Sequence, residues 1–247
     1  MKQFTLYEDA TIKWTVLGRD PNKAEQLVDT NEYIVEADGE CIILDPGGIE
    51  VFPEILTAVS SVIKIDQIKS FLCSHQDPDV MSSLSLWMSL VPKAKIFLPW
   101  LWSGFVSHFG SEYAENFVPI QDAGGTYSLG SATFQFVPAH HCHSAGNFHF
   151  FDPVSGILFS GDLGAALLPD NYDFFVEDFE DHVQYMDGFH RRWMPSKEAL
   201  AEWARRVRRL NPKMICPQHG AIFKGENVEK FLDWIENLNV GQMQKYA

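Results

Sequence analysis

Four apolar segments of the sequence are each followed directly by a residue that can bind a metal ion. They are IKSFLCS, FQFVPAHHC, ILFSG and MICPQ, and they precede His75, His143, Asp162 and His219. Short apolar runs bounded by turn residues are typical of buried strands. Because the ends of neighbouring strands meet at one edge of a sheet, we expect these four side chains to lie close together. A chain with this pattern must bring several strand ends to one place.

The first of these segments leads into two further acidic residues. In the stretch SHQDPDV, Asp77 and Asp79 alternate with His75, which places three potential metal ligands in one short loop. Such a loop could also serve only to cap the helix that follows it. Taken together with the ligands that follow the other strands, the loop predicts a metal site of three histidines and three aspartates.

The remaining pattern predicts strands and helices in both halves of the chain. Strands are predicted at 32–37 and 41–48, and the pair Asp38-Gly39 between them is a strong hairpin signal. Helices are predicted at 52–63, at 228–238 and after Ser196, a favourable N-cap residue. We therefore expect two sheets packed face to face with helices outside.

A further helix is predicted to begin at Pro78, since proline suits the first helical turn. Its apolar residues recur at steps of four, three and four, which places them on one face. They are Val80, Leu84, Trp87 and Val91.

Composition limits the classes of protein to which the chain can belong. Hydrophobic residues make up 46% of the 247 residues, which suits a large core and argues against disorder. The formal net charge of −14 argues against nucleic-acid binding, because an acidic surface repels phosphate. The one basic run, RRVRRL at 205–210, fits the solvated face of a helix. No apolar run reaches the about 18 residues of a membrane span, and the N-terminus shows no export signal.

The four cysteines show no paired spacing, which favours free thiols in a reducing cytoplasm. They are Cys41, Cys73, Cys142 and Cys216. No linker or repeat divides the sequence, so we expect a single domain over 1–247 without a flavodoxin-like or rubredoxin-like domain.

The order of the motifs resembles that of the metallo-β-lactamase superfamily. The motifs are SHQDPD, HSAGN, SGD and PQHG, preceded by LDPGG, which matches the family's D-x-G turn, and the resemblance extends from about residue 31 to residue 223. It implies an α/β (α+β) fold, the αββα four-layer sandwich, with a two-metal site at one edge of the sandwich.

A finer resemblance comes from the carboxylate at Asp77, where most hydrolases of that superfamily carry a histidine. Flavodiiron proteins also carry a carboxylate there, and the chain looks most like their single-domain relatives, the oxygen-binding diiron proteins. The resemblance implies two iron ions. His75, Asp77 and His143 would bind the first, Asp79 and His219 the second, and Asp162 would bridge them.

The family's additional histidine of the first loop would fall at Val80. We interpret Val80 as part of a dry pocket for an apolar gas, although it could simply pack beneath the helix. His140 or His141 could replace the missing ligand, or bond to a ligand on the metal. Cys142 is expected to point into the core.

The aromatic segment 171–194 follows Asp162, and in this superfamily that segment tends to cover the site. Of its aromatic residues, Tyr172 and Phe174 are weak candidates for lining the pocket.

Three functions are compatible with this site. The first is binding of dioxygen, held as a bridging peroxide, for oxygen sensing or storage, and the resemblance favours it. The second is reduction of dioxygen, peroxide or nitric oxide, with electrons from a separate donor that could dock on the acidic surface. The third is hydrolysis by two zinc ions. A signalling or redox partner and a homodimer are compatible with each. A sandwich domain with an empty site is disfavoured by six intact ligands.

Overall fold

The structure, a computed structural model, describes residues 1–20, 22–109, 111–169 and 171–241. Its first sheet contains seven strands that lie side by side in chain order. Pairing is antiparallel among the first four strands and parallel from the fourth to the seventh. The strands are β1 (Lys2–Glu8), β2 (Ile12–Gly18), β3 (Glu32–Ala37), β4 (Glu40–Leu44), β5 (Ile68–Leu72), β6 (Lys95–Pro99) and β7 (Phe117–Ile120).

The second sheet contains six strands, which also follow chain order across the sheet. They are β8 (Gly125–Leu129), β9 (Ala132–Pro138), β10 (Phe148–Asp152), β11 (Ile157–Phe159), β12 (Met214–Cys216) and β13 (Phe223–Lys224). Only β11 and β12 pair in parallel among these described strands, because helices separate them in the sequence.

The helices are α1 (Phe52–Val62), α2 (Pro78–Met81), α3 (Leu84–Leu90), α4 (Trp100–Val106), α5 (Phe179–Trp193), α6 (Lys197–Leu210) and α7 (Glu226–Asn237). Short 3-10 helices occur at Ile49–Val51, Ile65–Gln67, Ser107–Phe109 and Ser111–Asn116.

Three apolar clusters define the layers of the molecule. One fills the space between the two sheets, one lies between the first sheet and helices α1 to α3, and one lies between the second sheet and helices α5 to α7. Fully buried members of the three clusters are, in turn, Tyr33 and Phe159, Ile55 and Trp87, and Met186 and Phe231. The layers are therefore helix, sheet, sheet and helix, and the predicted αββα sandwich is confirmed.

The predicted hairpin between β3 and β4 is present. Asp38 and Gly39 have φ values of 49° and 80°, the left-handed conformation that a two-residue hairpin turn requires. Ala37 pairs with Glu40 directly across the turn. The turn lies where the sequence predicted it, but β4 covers Glu40–Leu44 and ends before the predicted limit at residue 48.

The helix predicted from Pro78 is divided in the structure. Helix α2 ends at Met81, and α3 begins at Leu84. Ser83, between them, donates its hydroxyl to the Gly47 carbonyl oxygen at 2.7 Å, which ties the break to the turn after β4. The predicted apolar face is nevertheless correct, because all four of its members are buried: Val80, Leu84, Trp87 and Val91.

Helix α6 begins as predicted, because the Ser196 hydroxyl accepts a hydrogen bond from the Ala199 amide. Its basic run lies on the outer face. There Arg208 pairs with three acidic side chains of α7, namely Glu229, Asp233 and Glu236. The run is thus a surface ion-pair network, in agreement with the interpretation as a solvated helix face.

No helix among the described residues is both long and apolar enough to span a membrane.

A buried carboxylate stands at the start of β3. Glu32 is fully inaccessible to solvent. Burial raises its pKa from an ordinary value of 4.5 to about 8. The folded protein therefore holds a proton on Glu32 over a pH range in which the unfolded chain releases it.

This linkage predicts a pH-dependent contribution to stability. The contribution of protonated Glu32 is fully present below about pH 4.5 and is lost as the pH rises through about 8. The free energy of unfolding of the chelator-treated wild type should therefore fall, relative to that of Glu32→Gln, between these two values. Urea titrations at several pH values measure the difference. A difference that stays constant, as expected for the exposed control Glu54→Gln, would contradict the assignment.

Candidate metal centre

The structure brings the six predicted residues together on loops that follow strands. His75, Asp162 and His219 each lie three residues beyond the end of a strand, and His143 lies five residues beyond one. Asp77 shares the loop of His75, and Asp79 follows in the first turn of α2. The strands thus end earlier than the apolar runs suggested, and short loops carry the side chains over the edge of the sandwich.

Four of the six form a tight cluster. Each of His75, Asp77, His143 and Asp162 offers one ligand atom, and these atoms all lie within 4.8 Å of one another. Asp77 Oδ2 is 3.5 Å from His75 Nε2 and 3.3 Å from His143 Nε2. This geometry matches the predicted set for the first metal together with the predicted bridge.

The remaining two lie beside this cluster. Asp79 Oδ2 is 3.0 Å from His219 Nε2. His219 Nε2 is also 3.5 Å from Asp162 Oδ1. The second predicted group therefore adjoins the first through Asp162.

The two oxygens of Asp162 face different groups. Oδ2 lies 2.9 Å from His143 Nε2 and 3.6 Å from His75 Nε2, whereas Oδ1 faces His219. A carboxylate that presents one oxygen to each of two ligand groups has the geometry of a bridge, and it suits metals roughly 3.5–4 Å apart.

Contacts behind the ligands orient two of the imidazoles. Ser74 Oγ donates to Asp45 Oδ2 at 2.6 Å, which leaves it to accept from His75 Nδ1 at 2.9 Å. His219 Nδ1 donates to the Asp29 carbonyl oxygen at 2.8 Å. Nδ1 is therefore a donor in each ring, and Nε2 faces the site, where a metal ion could take the place of its proton. Asp45 belongs to the LDPGG turn, so this turn holds the first ligand loop in place.

The electrostatics of the cluster favour ionised carboxylates and cationic partners. Burial by itself raises the pKa of Asp162, but the facing imidazoles of His75, His143 and His219 outweigh burial and hold that pKa below its usual value. Burial lowers the pKa of His143, yet Asp162 and Asp77 outweigh it and raise that pKa to about 9. In the same way, Asp79 and Asp162 raise the pKa of His219 to about 9. The site thus stabilises positive charge.

Three buried polar atoms of the cluster make no well-aligned hydrogen bond within the described part of the chain, although His143 Nε2 lies 2.9 Å from Asp162 Oδ2. They are His75 Nε2, His143 Nε2 and Asp162 Oδ1. Unpaired buried polar atoms are costly, and the convergence of these three fits a bound cation. Imidazole nitrogens and carboxylate oxygens in this proportion fit divalent iron or zinc.

A cavity of about 500 Å³ opens over five of the six side chains, all except that of His75. Apolar residues from three parts of the chain line much of it: Leu27, Val28, Val51, Leu167, Phe189 and Trp193. Trp193, half-exposed, packs against the His143 ring with 5.4 Å between ring centroids, and it stacks on Phe189. The site is therefore reached through an apolar mouth.

The aromatic residues that line this cavity differ from those predicted. The segment after Asp162 does cover the site, as expected. However, Phe174 is buried in the core between the sheets, and Tyr172 bonds to His182 away from the cavity. Phe189 and Trp193 line the cavity instead, because they lie four residues apart on one face of α5. That spacing was the available signal, but α5 was not predicted.

The structure also decides between the two interpretations of Val80. Its side chain is fully buried in the apolar cluster beneath the first sheet and does not contribute to the cavity lining. Packing beneath the helix explains it, and the interpretation as a pocket residue was wrong.

Neither neighbouring histidine occupies the place of a ligand. His140 Nε2 lies 2.9 Å from the Asp122 carbonyl oxygen, and its ring packs on Phe148. His141 is exposed to solvent. Cys142 is buried in a core cluster, as expected.

The chain is similar over nearly its whole length to a protein of solved structure. The chain is 42% identical to the protein in a structure described as the peroxy diiron species of chemotaxis sensor ODP, with a TM-score of 0.87 and coverage of 98% of this chain and 97% of that one. It is 43% identical to the apo state of that sensor from T. denticola, with a TM-score of 0.87 and coverage of 97% and 96%.

Among curated proteins, the chain is 24% identical over 222 residues to the rubredoxin-oxygen oxidoreductase of Megalodesulfovibrio gigas, covering 83% of this chain and 53% of that protein. An uncharacterized protein of Methanocaldococcus jannaschii matches to a similar extent. The chain spans about half the length of these curated relatives. A family model described as ODP family beta lactamase matches residues 28–220, and the chain therefore belongs to this family.

Proposed function

We propose that the chain is a non-haem diiron protein that binds dioxygen for oxygen sensing. One observation carries the proposal: the chain shares 42% identity, over nearly its whole length, with a chemotaxis sensor whose structure contains a peroxy diiron species. The convergence of three histidines and three aspartates at one edge of the sandwich supports it.

The proposed ligands divide into two sets that share one carboxylate. His75, Asp77 and His143 hold one iron through the atoms that converge on Asp162 Oδ2. Asp79 and His219 hold the other, next to Asp162 Oδ1. Carboxylates are hard donors, and three of them nearly neutralise two ferrous ions. This ligand set therefore favours iron, whereas a site richer in imidazole favours zinc. Two ferrous ions, when bound, supply the electrons for capture of dioxygen.

Apolar side chains around the proposed site limit the access of water and charged ligands. Aspartate and histidine side chains occupy the floor of the cavity, whereas Leu167, Phe189 and Trp193 form its apolar wall. A small apolar gas crosses such a wall without the desolvation cost that a charged ligand incurs. The second ligand set holds one imidazole where the first holds two, which leaves more positions there for an exogenous ligand.

Reduction of dioxygen with an external donor is the second candidate. The match to an oxidoreductase at 24% identity supports it. Identity to the sensor is higher, and we therefore favour binding. Steady consumption of NADH in the presence of a flavoprotein donor would distinguish turnover from binding. The di-zinc hydrolase is distinguished by elemental analysis alone.

Metal content and colour provide the main test. Protein purified without oxygen should hold about two iron ions per chain, as expected for a paired site. Exposure to air should produce a visible absorption band, and argon should remove it. Iron and zinc are quantified by elemental analysis, and the band by spectrophotometry. Stoichiometric zinc in a protein that stays colourless in air would refute the proposal.

Replacement of the bridge should disrupt the pair of ions. Asp162→Asn keeps the shape of the side chain but removes the negative charge that the imidazoles of both ligand sets face. We expect iron content to fall to about one ion per chain or less, because a neutral amide bridges two cations poorly. The control Asp152→Asn changes another buried aspartate, which bonds to Trp14 and Ser155 outside the site. Equal iron content in Asp162→Asn and wild type would exclude a bridging role.

Shortening the aromatic wall should destabilise the oxygen-bound form. Trp193→Ala removes the ring that packs on His143 and admits water to the site. The air-induced absorption should then decay roughly ten times faster or more, as expected when a reactive site loses its protection from water. Stopped-flow spectroscopy measures the decay. Trp100→Ala, which removes an exposed tryptophan remote from the cavity, should decay like wild type; the same decay in Trp193→Ala would show that the wall has no protective role.

A further inference from the structure

A chain of hydrogen bonds runs from a surface helix to one of the proposed ligands. Trp102 Nε1, on α4, donates to Ser144 Oγ at 3.0 Å. Ser144 Oγ donates to Gln76 Oε1 at 2.6 Å. Gln76 Nε2 donates to Asp77 Oδ1 at 2.9 Å. None of these three intermediate residues is itself a proposed ligand.

All donors in this chain point the same way, towards the carboxylate. The indole N–H can only donate, so Ser144 must accept from it and is free to donate its own proton to Gln76. The Gln76 amide in turn must present its N–H to Asp77. Hydrogen bonds that share one direction polarise and strengthen one another. Ser144 Oγ also lies 3.1 Å from the Gly146 carbonyl oxygen, but its contact with Gln76 Oε1 is shorter at 2.6 Å. With the proton on that shorter contact, every donor points towards the negative charge of Asp77.

The two oxygens of Asp77 are used differently. Oδ1 accepts from Gln76, whereas Oδ2 faces His75 and His143 at 3.5 and 3.3 Å. Holding Oδ1 fixes the rotation of the carboxylate and directs Oδ2 to the first metal position. Asp77 is itself partly exposed, with 25% of its side chain accessible, so packing restricts its rotation less than that of a fully buried side chain.

The hydrogen-bond chain begins on helix α4, which has an aromatic surface. Trp102 also donates to the Gly146 carbonyl oxygen at 2.8 Å. A Cβ atom at Gly146 would lie 3.2 Å from both Leu101 and Trp102 Nε1, so the glycine permits this close approach. On the outer side of the same helix, Trp100 and Phe105 are exposed. Helix α4 is therefore bound to the loop of His143 on one side and faces solvent on the other.

We propose that Trp102, Ser144 and Gln76 are positioning residues that orient Asp77 for metal binding and couple occupancy of the site to helix α4. The proposal rests on the proposed function, because it requires that Asp77 bind a metal ion. Its consequence is that the surface around α4 changes its stability when the site is filled.

A double-mutant cycle on ferrous-ion affinity tests the positioning role. Under argon, a chromogenic chelator competes for Fe²⁺ with wild type, Gln76→Ala, Trp102→Phe and the double variant. Gln76→Ala should weaken binding about tenfold, the lower end of the usual effect of an outer contact. Trp102→Phe should weaken it severalfold. The double variant should bind little worse than Gln76→Ala, because both changes break the same chain.

The matched control is Trp100→Phe, on the same helix but outside the chain. Trp100 Nε1 donates to Asp122 Oδ1, which has no contact with the metal ligands. The affinity of the Trp100→Phe variant for Fe²⁺ should equal that of wild type. Combined with Gln76→Ala, Trp100→Phe should leave the affinity at that of Gln76→Ala alone. Ser144→Ala gives a second test of the chain if Trp102→Phe unfolds. Additive effects of Trp102→Phe and Gln76→Ala would refute positioning through a chain.

Hydrogen exchange tests the coupling to α4 without any measurement of activity. Addition of Fe²⁺ to wild type under argon should slow amide exchange in residues 100–106, and Gln76→Ala should remove most of this protection. Identical protection in both proteins would overturn the coupling. If wild type fails to bind Fe²⁺, the proposed function fails as well, whereas additivity or unchanged exchange in an iron-binding protein rejects only the present inference.

Discussion

Burial of the Asp162 carboxylate is the constraint on which the site depends. An ionised carboxylate inside a protein is costly unless cations or donors surround it. Here three imidazoles from three separate loops face it, and their positive charge holds its pKa low. Two metal ions would replace those protons with a larger and better directed charge. The loops that carry the three histidines therefore meet at the position of this carboxylate.

Two shells of contacts make that convergence possible. Asp45 in the turn after β4 fixes Ser74 and, through it, the ring of His75, while a backbone carbonyl fixes the ring of His219. On the solvent side, Phe189 and Trp193 of α5 close over the imidazole of His143. The hydrogen bonds behind the ligands set the direction of the His75 and His219 rings, and the aromatic side chains of α5 control what reaches the site. Binding and protection are thus performed by different elements.

The convergence of the six proposed ligand residues and the fold class could be predicted because both leave local patterns. Each ligand follows an apolar strand at a short interval, and the hairpin at Asp38-Gly39 and the cap at Ser196 are decided by a few neighbouring residues. The terminal strands β1 and β2, and helices α4 and α5, were not predicted. Strand β2 does alternate in polarity, in IKWTV at 12–16, and the apolar residues of α5 recur at helical spacing, so both carried a signal. Packing against the rest of the sandwich also stabilises these elements. Val80 was misinterpreted because a missing histidine does not indicate where the replacing side chain points.

The identity of the six proposed ligand residues and their placement after four strands are thus properties of the sequence itself. The contacts that shape the site are not: Trp193 meets His143, and Trp102 meets Ser144, across 50 and 42 positions of the chain. No local pattern encodes such pairs, because they depend on how α4 and α5 lie against the loops of the second sheet. Only packing of the whole sandwich determines which side chains cover the site and which reach its ligands.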